Sequence, residues 1–249
     1  MNKLVFFDLD GTLAESKQAL TSEMAALVAA LLEVTPVAVI SGGALPQFKK
    51  QIIEQLPAET NLSNLYLLPT SGAALYEYRH DNWHKVYEEH LSQKESHTIE
   101  AAMKEAIAAT GVIDLDHHAW GGRIEHRGAQ VSLSALGQQA PLILKKEWDP
   151  TRAKRGKLQT YLAAALPDFT VTIGGKTTID ITKRGIDKAY GVRKLCDYLH
   201  IMESEALYVG DELEKGGNDE AVYKTEVQTS VVKDPTETGE LIKKLFSPA

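Results

Sequence analysis

Val5-Phe6-Phe7-Asp8-Leu9-Asp10-Gly11-Thr12 is the stretch that decides how this chain folds. A short run of strand-forming apolar residues ends in two carboxylates at i and i+2, followed by a glycine and a hydroxyl. Side chains alternate along a strand, so Asp8 and Asp10 begin on one face. At the carboxyl end of a buried parallel strand, that is where open α/β sheets bind ligands. Two acids this close repel each other unless a cation lies between them or one carries a proton. Both conditions suit phosphoryl transfer, which needs a divalent cation to screen the phosphate, a carboxylate to attack and an acid to protonate the leaving oxygen. A turn rich in Asp and Gly also has an ordinary reading as a loop, and the rest of the chain decides between the two.

Residues 3–8 read as a strand. Residues 20–33 place Leu20, Met24, Leu27, Val28, Leu31 and Leu32 at helical spacing. A second buried strand over 36–40 ends in Ser41-Gly42-Gly43, a helical pattern runs over 44–56, and a third strand lies at 65–68. Strand and helix in alternation predict an α/β fold with a doubly wound parallel sheet, Rossmann-like. From about residue 80 the texture changes. Polar and charged residues fill 79–97, where His80, His84, His90 and His97 each have their own polar neighbours and are expected on a solvated face rather than around a metal. A helix is expected over 93–109, antiparallel strands with one wet face at 122–127 and 130–136, a helix capped by Asp149-Pro150-Thr151 to about 164, and a hairpin around Gly174-Gly175. The chain is therefore divided into a core of 1–79 plus 185–249 and an inserted α+β domain of 80–184. Helix 187–199, a buried strand at 206–209, a helical turn or two over 219–224, a last strand at 227–232 and a closing helix over 237–246 complete the core.

A chain of 249 residues with 43% hydrophobic content can bury the core of one large or two ordinary domains. Its net charge of −7 argues against a nucleic-acid partner, and any anionic substrate requires positive charge to be gathered locally. The single cysteine, Cys196, excludes an intramolecular disulfide and fits a reducing compartment; Leu195 and Tyr198 beside it point to a buried structural thiol. The first apolar stretch is broken at Asp8, which does not match a signal peptide, and no run of about 18 apolar residues occurs. A cytoplasmic location with no membrane partner is expected.

Groups suited to phosphoryl transfer recur at other expected strand and helix ends. Ser41 follows the second strand, with Gly42 and Gly43 letting backbone N–H groups approach a phosphate. Lys188 falls in the first turn of helix 187–199, near a positive helix end. Asp211 follows the late strand as a hard oxygen ligand. Singly, these are a turn, a surface lysine and a loop acid; in this order they form a set.

That set resembles the four motifs of the haloacid dehalogenase-like superfamily: DLDGT at 8–12, Ser41 after a strand, Lys188 in IDK, and VGDELEKGGND at 209–219. The inserted section resembles the cap domain of subfamily IIB. Within it, IEHRGAQVSLSALG at 124–137, TIGGKTTIDIT at 172–182 and the GGND after the fourth motif are most similar to eukaryotic-type phosphomannomutases and related sugar phosphatases. The resemblance implies that Asp8 is the nucleophile and that Asp10 protonates the leaving oxygen and then activates water or a hydroxyl. It implies Mg²⁺ held by Asp8, the backbone carbonyl of Asp10, and Asp211. Ser41 and Lys188 would hold the transferring phosphoryl group, and Lys17 would stand where the family has a core arginine that touches substrate. Arg127, Thr178 and Asp180 would bind a sugar phosphate and its hydroxyls in a cap that closes to expel water.

Departures from the family pattern bear on the reaction. Trp120 and Gln138 stand where the mutases place further cap arginines, and neither can grip a phosphate bidentately. Arg123 would share a strand face with Arg127, and Glu125 between them can pair with either. Thr225 and Gln228 replace an acid and a hydroxyl of the family's second metal loop, so no second metal of that type is expected. The leading expectation is a Mg²⁺-dependent phosphatase of a small phosphorylated sugar or polyol, working through an aspartyl-phosphate. A phosphomannomutase is the alternative, and a non-catalytic sugar-phosphate-binding protein comes third. The residues say nothing of oligomeric state.

Overall fold

The computed structural model describes residues 2–246. They form two compact units, one running to Glu88 and resuming at Lys188, the other spanning Glu89–Asp187. The first unit opens with β1 (Leu4–Asp8), α1 (Ser22–Leu32), β2 (Val37–Ile40), α2 (Leu45–Gln51), β3 (Leu65–Leu68), β4 (Ala74–Arg79) and β5 (Asn82–Glu88). The second holds α3 (Gln93–Thr110), β6 (Ile124–His126), β7 (Gln130–Ser134), α4 (Leu142–Trp148), α5 (Ala153–Ala165), β8 (Phe169–Ile173) and β9 (Thr178–Lys183). The chain then returns to the first unit with α6 (Lys188–Leu199), β10 (Ala206–Gly210), β11 (Gln228–Val231) and α7 (Pro235–Phe246).

The first unit is an α/β sheet in the order β11-β10-β1-β2-β3-β4-β5. The strands from β11 to β3 are parallel, and β4 and β5 join antiparallel. Every residue of β1, β2 and β10 is buried, because the sheet is covered on both faces. Val5, Phe7, Val37 and Val39 pack with Met24, Val28 and Leu31 of α1, while Leu4, Phe6, Ala38 and Tyr208 pack with Val192, Leu195 and Cys196 of α6. Hence these strands read as unbroken apolar runs rather than alternating ones. Cys196 is a buried free thiol, and burial pushes its pKa up to about 12. Helix α6 lies against the turn Thr70–Gly72 at backbone contact: a Cβ added at Gly191 would sit 2.7 Å from the Cα of Gly72.

The boundary expected at 80 is corrected to 89. β4 and β5 belong to the first unit's sheet as an edge hairpin that turns through His80 and Asp81, both at positive φ. β5 is an edge strand with no fully buried residue, so its sequence is polar, and that polarity imitates a change of domain. His84 lies in this hairpin with Nε2 3.1 Å from the carbonyl oxygen of Arg79. The helix expected over 44–56 is also shorter: α2 ends at Gln51 and one 3₁₀ turn, Ile53–Gln55, follows.

The second unit is an antiparallel sheet, β6-β7-β9-β8, with α3 and α5 on one face. Val131, Leu133, Ile179 and Ile181 pack against Ile99, Met103, Leu158 and Leu162. Alternate residues Gln130, Ser132, Ser134, Thr178, Asp180 and Thr182 form the other face. That face is polar but buried rather than wet, and Ser132 donates to Asp180 Oδ1 at 2.5 Å. Behind the sheet, Asp149 accepts from the backbone N–H groups of Lys154 and Arg155 at the start of α5, so it caps the helix from outside, as its sequence position suggested. Helix α4 was not foreseen. Among the described residues, no helix is long and apolar enough to cross a membrane.

Candidate active site

Sheet register gathers the expected residues of the first unit at one edge. Asp8, the last residue of β1, pairs with Ile40, so Ser41 follows at the same level; Phe7 pairs with Val209, two residues before Asp211. Asp8, Ser41 and Asp211 thus leave the carboxyl ends of three adjacent parallel strands, and α6 begins at Lys188.

Lys188 is buried and its ammonium donates to Asp8 Oδ1 at 2.5 Å, Asp219 Oδ1 at 2.6 Å and Asn218 Oδ1 at 3.0 Å. Burial alone would lower its pKa, but the carboxylates of Asp219 and Asp8 outweigh that and hold it above the ordinary lysine value. Asp8 moves the other way from most paired acids. Burial raises its pKa well above the usual carboxylate range, Asp219 and Asp211 add to the rise, and Lys188 only partly offsets them. Carboxylate oxygens of Asp8, Asp211 and Asp219 lie within 4.8 Å of one another, and Asp8 Oδ2 is buried without a hydrogen-bond partner. An all-oxygen donor set with excess negative charge and one unanswered buried oxygen fits a hard divalent cation. Asp10 does not contribute its carboxylate to this group.

The loop after β1 is shaped by Gly11, at φ 106°, where a Cβ would meet Asp211 Oδ2 at 2.3 Å. Thr12 donates to Asp211 Oδ1 at 3.2 Å. Asp10 points elsewhere: its Oδ1 accepts from the Lys17 backbone N–H at 2.5 Å and its Oδ2 from Gln47 Nε2 at 3.4 Å. Ser41 is buried, and its hydroxyl accepts from the N–H of Gly43 at 3.3 Å, so that N–H, expected to be open to a phosphate, is engaged within the loop.

In the second unit, Arg127, Thr178 and Asp180 do come together with one another. Arg127 Nη1 is 3.9 Å from Asp180 Oδ1, and a Cβ on Gly174 would press on both Asp180 Oδ2 and Thr178 Oγ1. The open question about Glu125 is answered by geometry: it accepts from Arg127 Nε at 2.9 Å and Nη2 at 2.6 Å, while Arg127 Nη2 also reaches Gln138 Oε1 at 3.3 Å. Arg123 instead donates to the carbonyls of Ala135, Asp114 and His117.

Sequence reading passed over Asp219, Asn218, Tyr208 and Gln47. The phenol of Tyr208, fully buried, donates to Asp219 Oδ1 at 2.5 Å, and the N–H of Glu212 lies 3.4 Å from Asp219 Oδ2. A signal for Asp219 was present in GGND, since Gly217 is packed so tightly that a Cβ would overlap the Glu212 carbonyl. Tyr208 and Gln47 carry no comparable signal.

The family model described as eukaryotic phosphomannomutase matches residues 24–248. A phosphomannomutase of Dendrobium officinale is 27% identical over 252 residues, covering 98% of this chain and 94% of its own, and one of Glycine max is 28% identical, covering 98% and 96%. Among solved structures, the IMP-bound, N-terminally truncated IMP-nucleotidase of Plasmodium falciparum superposes with a TM-score of 0.71 at 15% identity, covering 98% of this chain and 68% of that one. A trehalose-6-phosphate phosphatase related protein gives 0.54 at 14% identity, with 97% and 96% covered. These structural likenesses are likenesses of fold.

Proposed function

Because the chain belongs to the eukaryotic phosphomannomutase family, within the haloacid dehalogenase-like phosphotransferases, we propose that it is a Mg²⁺-dependent phosphomonoesterase of a small phosphorylated sugar or polyol. In this reading an Asp8 carboxylate oxygen attacks phosphorus, the ester P–O bond breaks, and Asp10 gives its proton to the departing oxygen. Water then attacks the aspartyl-phosphate, its proton goes to the Asp10 carboxylate, and phosphate leaves Asp8. Asp8 and Asp211 would hold Mg²⁺, which would supply screening of the charge between acids and phosphate. Lys188 donates to Asp8 and partly offsets the burial that favours its protonated form. Ser41 and Lys188 hold the phosphoryl oxygens with the Gly42 backbone beside them, Lys17 reaches the substrate, and Arg127, Thr178 and Asp180 read its hydroxyls.

The observation that carries hydrolysis over isomerisation is the state of Arg127. A mutase must hold a bisphosphate by its far phosphate while the sugar turns round. Here the guanidinium is already answered by Glu125 and faces Asp180, and Gln138 and Trp120 stand at its neighbours' places. A fork so neutralised suits hydroxyls better than a second phosphate. The mutase reading keeps its support from the names of the relatives.

The test is incubation with Mg²⁺ and hexose 1- and 6-phosphates, with and without glucose 1,6-bisphosphate, following free phosphate and isomerised sugar together. Free phosphate as main product is expected. Isomerised sugar that depends on the bisphosphate would replace hydrolysis by the mutase reading.

A further inference from the structure

We infer that Gln47 is a positioning residue for Asp10, and that Gly43 is glycine in order to let it reach. The inference rests on the reading of Asp10 as the acid and base. Asp10 is half-buried and lies outside the acid cluster around Lys188. Both of its oxygens are met from the side: the Lys17 N–H takes Oδ1 and the Gln47 amide takes Oδ2. A carboxylate only accepts, so the Gln47 amide must present its nitrogen there.

Three features bring that nitrogen to Asp10. Pro46 lies in the first turn of α2, the Gln47 N–H bonds the Ala44 carbonyl at 2.9 Å, and the next residue, Phe48, is fully buried, so the backbone of Gln47 is fixed. The side chain then folds back over the loop that follows Ser41. A Cβ on Gly43 would fall 2.5 Å from Gln47 Oε1 and 2.7 Å from its Cδ, which is closer than carbon atoms approach. Gly43 has no positive φ to explain it. Its missing side chain is what the bent-back amide requires.

The chemistry assigns the two donors different tasks. With Asp10 protonated, Oδ1 is the carbonyl oxygen bound by Lys17, which turns the O–H on Oδ2 toward the departing oxygen. Once that proton has moved, the Gln47 N–H stabilises the negative charge left on Oδ2. Without the amide the carboxyl swings about its Cβ–Cγ bond, and proton transfer loses its fixed geometry.

The leaving group supplies the test. An alkyl phosphate such as a hexose 6-phosphate needs its leaving oxygen protonated; p-nitrophenyl phosphate does not. Gln47→Ala in the full chain with Mg²⁺ should lower kcat on the hexose phosphate about tenfold, with KM and the rate of aspartyl-phosphate formation from p-nitrophenyl phosphate each within about twofold. Gly43→Ala, whose Cβ would press the Gln47 amide aside, should likewise lower kcat more on the hexose phosphate than on p-nitrophenyl phosphate, and Gln47→Met, which keeps the length and loses the N–H donor, stands in if Gln47→Ala fails to fold. Equal losses on both substrates, or none on either, in an active enzyme would overturn the inference and leave the proposed function standing. A native protein that hydrolyses neither substrate would overturn both.

Discussion

Asp8 and Asp149 are both buried acids paired with a buried cation, one in each unit, and they titrate in opposite directions. Burial acts to raise both. At Asp149 it is overcome by the N–H groups of Arg155 and Lys154 and by the Arg155 guanidinium, so the carboxyl sits below its usual value. Arg155 spends its other donors on the carbonyls of Asp149, Gly174 and Gly175, and the cluster is electrically complete. At Asp8 burial wins, because one ammonium serves two carboxylates directly and a third, Asp211, stands nearby. A balanced buried pair is a fastening for the loop that carries Gly174; an unbalanced one is a place made ready for a cation and a phosphate.

The largest effect that sharpens this contrast is on turnover. Asp8→Asn should lower kcat at least about a thousandfold, since the nucleophile is gone. Its unfolding midpoint in denaturant should equal or exceed the native one, because repulsion among the acids is relieved while Lys188 keeps Asp219. Asp149→Ala does the reverse. It leaves the Arg155 charge buried and unanswered, and denaturant unfolding should show a loss of about 3–5 kcal/mol. A midpoint unmoved at Asp149, or collapsed at Asp8, would break the comparison.

The smallest effect is in pH. The raised folded pKa of Asp8 gives stability that is present below the ordinary aspartate value of 3.8 and lost as pH climbs through that raised pKa. The lowered folded pKa of Asp149 gives stability present above 3.8 and lost as pH falls through the depressed value. Added Mg²⁺ should therefore leave the melting temperature unchanged in acid and raise it by a few degrees, about 2–4 °C, once pH has passed the Asp8 transition. Thermal melts with and without Mg²⁺ across pH check this; equal shifts at every pH would remove Asp8 from the cation site.

What the sequence made legible follows from the same physics. β1, β2, β3 and β10 are buried on both faces, so their apolar runs are unmistakable, and the acids at their ends stood out by contrast. β4 and β5 were lost because an edge hairpin carries Glu77, Arg79, His84 and Lys85, and its polar texture is that of a solvated segment. Asp219 became part of the site only through the folding back of residues 211–219, closed by its own N–H on the Glu212 carbonyl at 3.1 Å, and no spacing rule announces such a loop. Gln47 and Tyr208 act through single hydrogen bonds made across the fold. The Arg127–Glu125 pair could be named as one of two alternatives, and only side-chain geometry chose between them.

The backbone contact between Gly72 and Gly191 has a mechanical meaning. Ser71 N–H binds the Ser41 carbonyl at 2.9 Å, so the turn before Gly72 also buttresses the loop of Ser41. With no side chain at either crossing point, helix and turn meet like two gear faces without clearance. Ser41 and Lys188, far apart in the chain, are thereby set to a common gauge, and a single methyl at the crossing would act as a shim, lifting the root of α6 and drawing the ammonium of Lys188 back from the acid it serves.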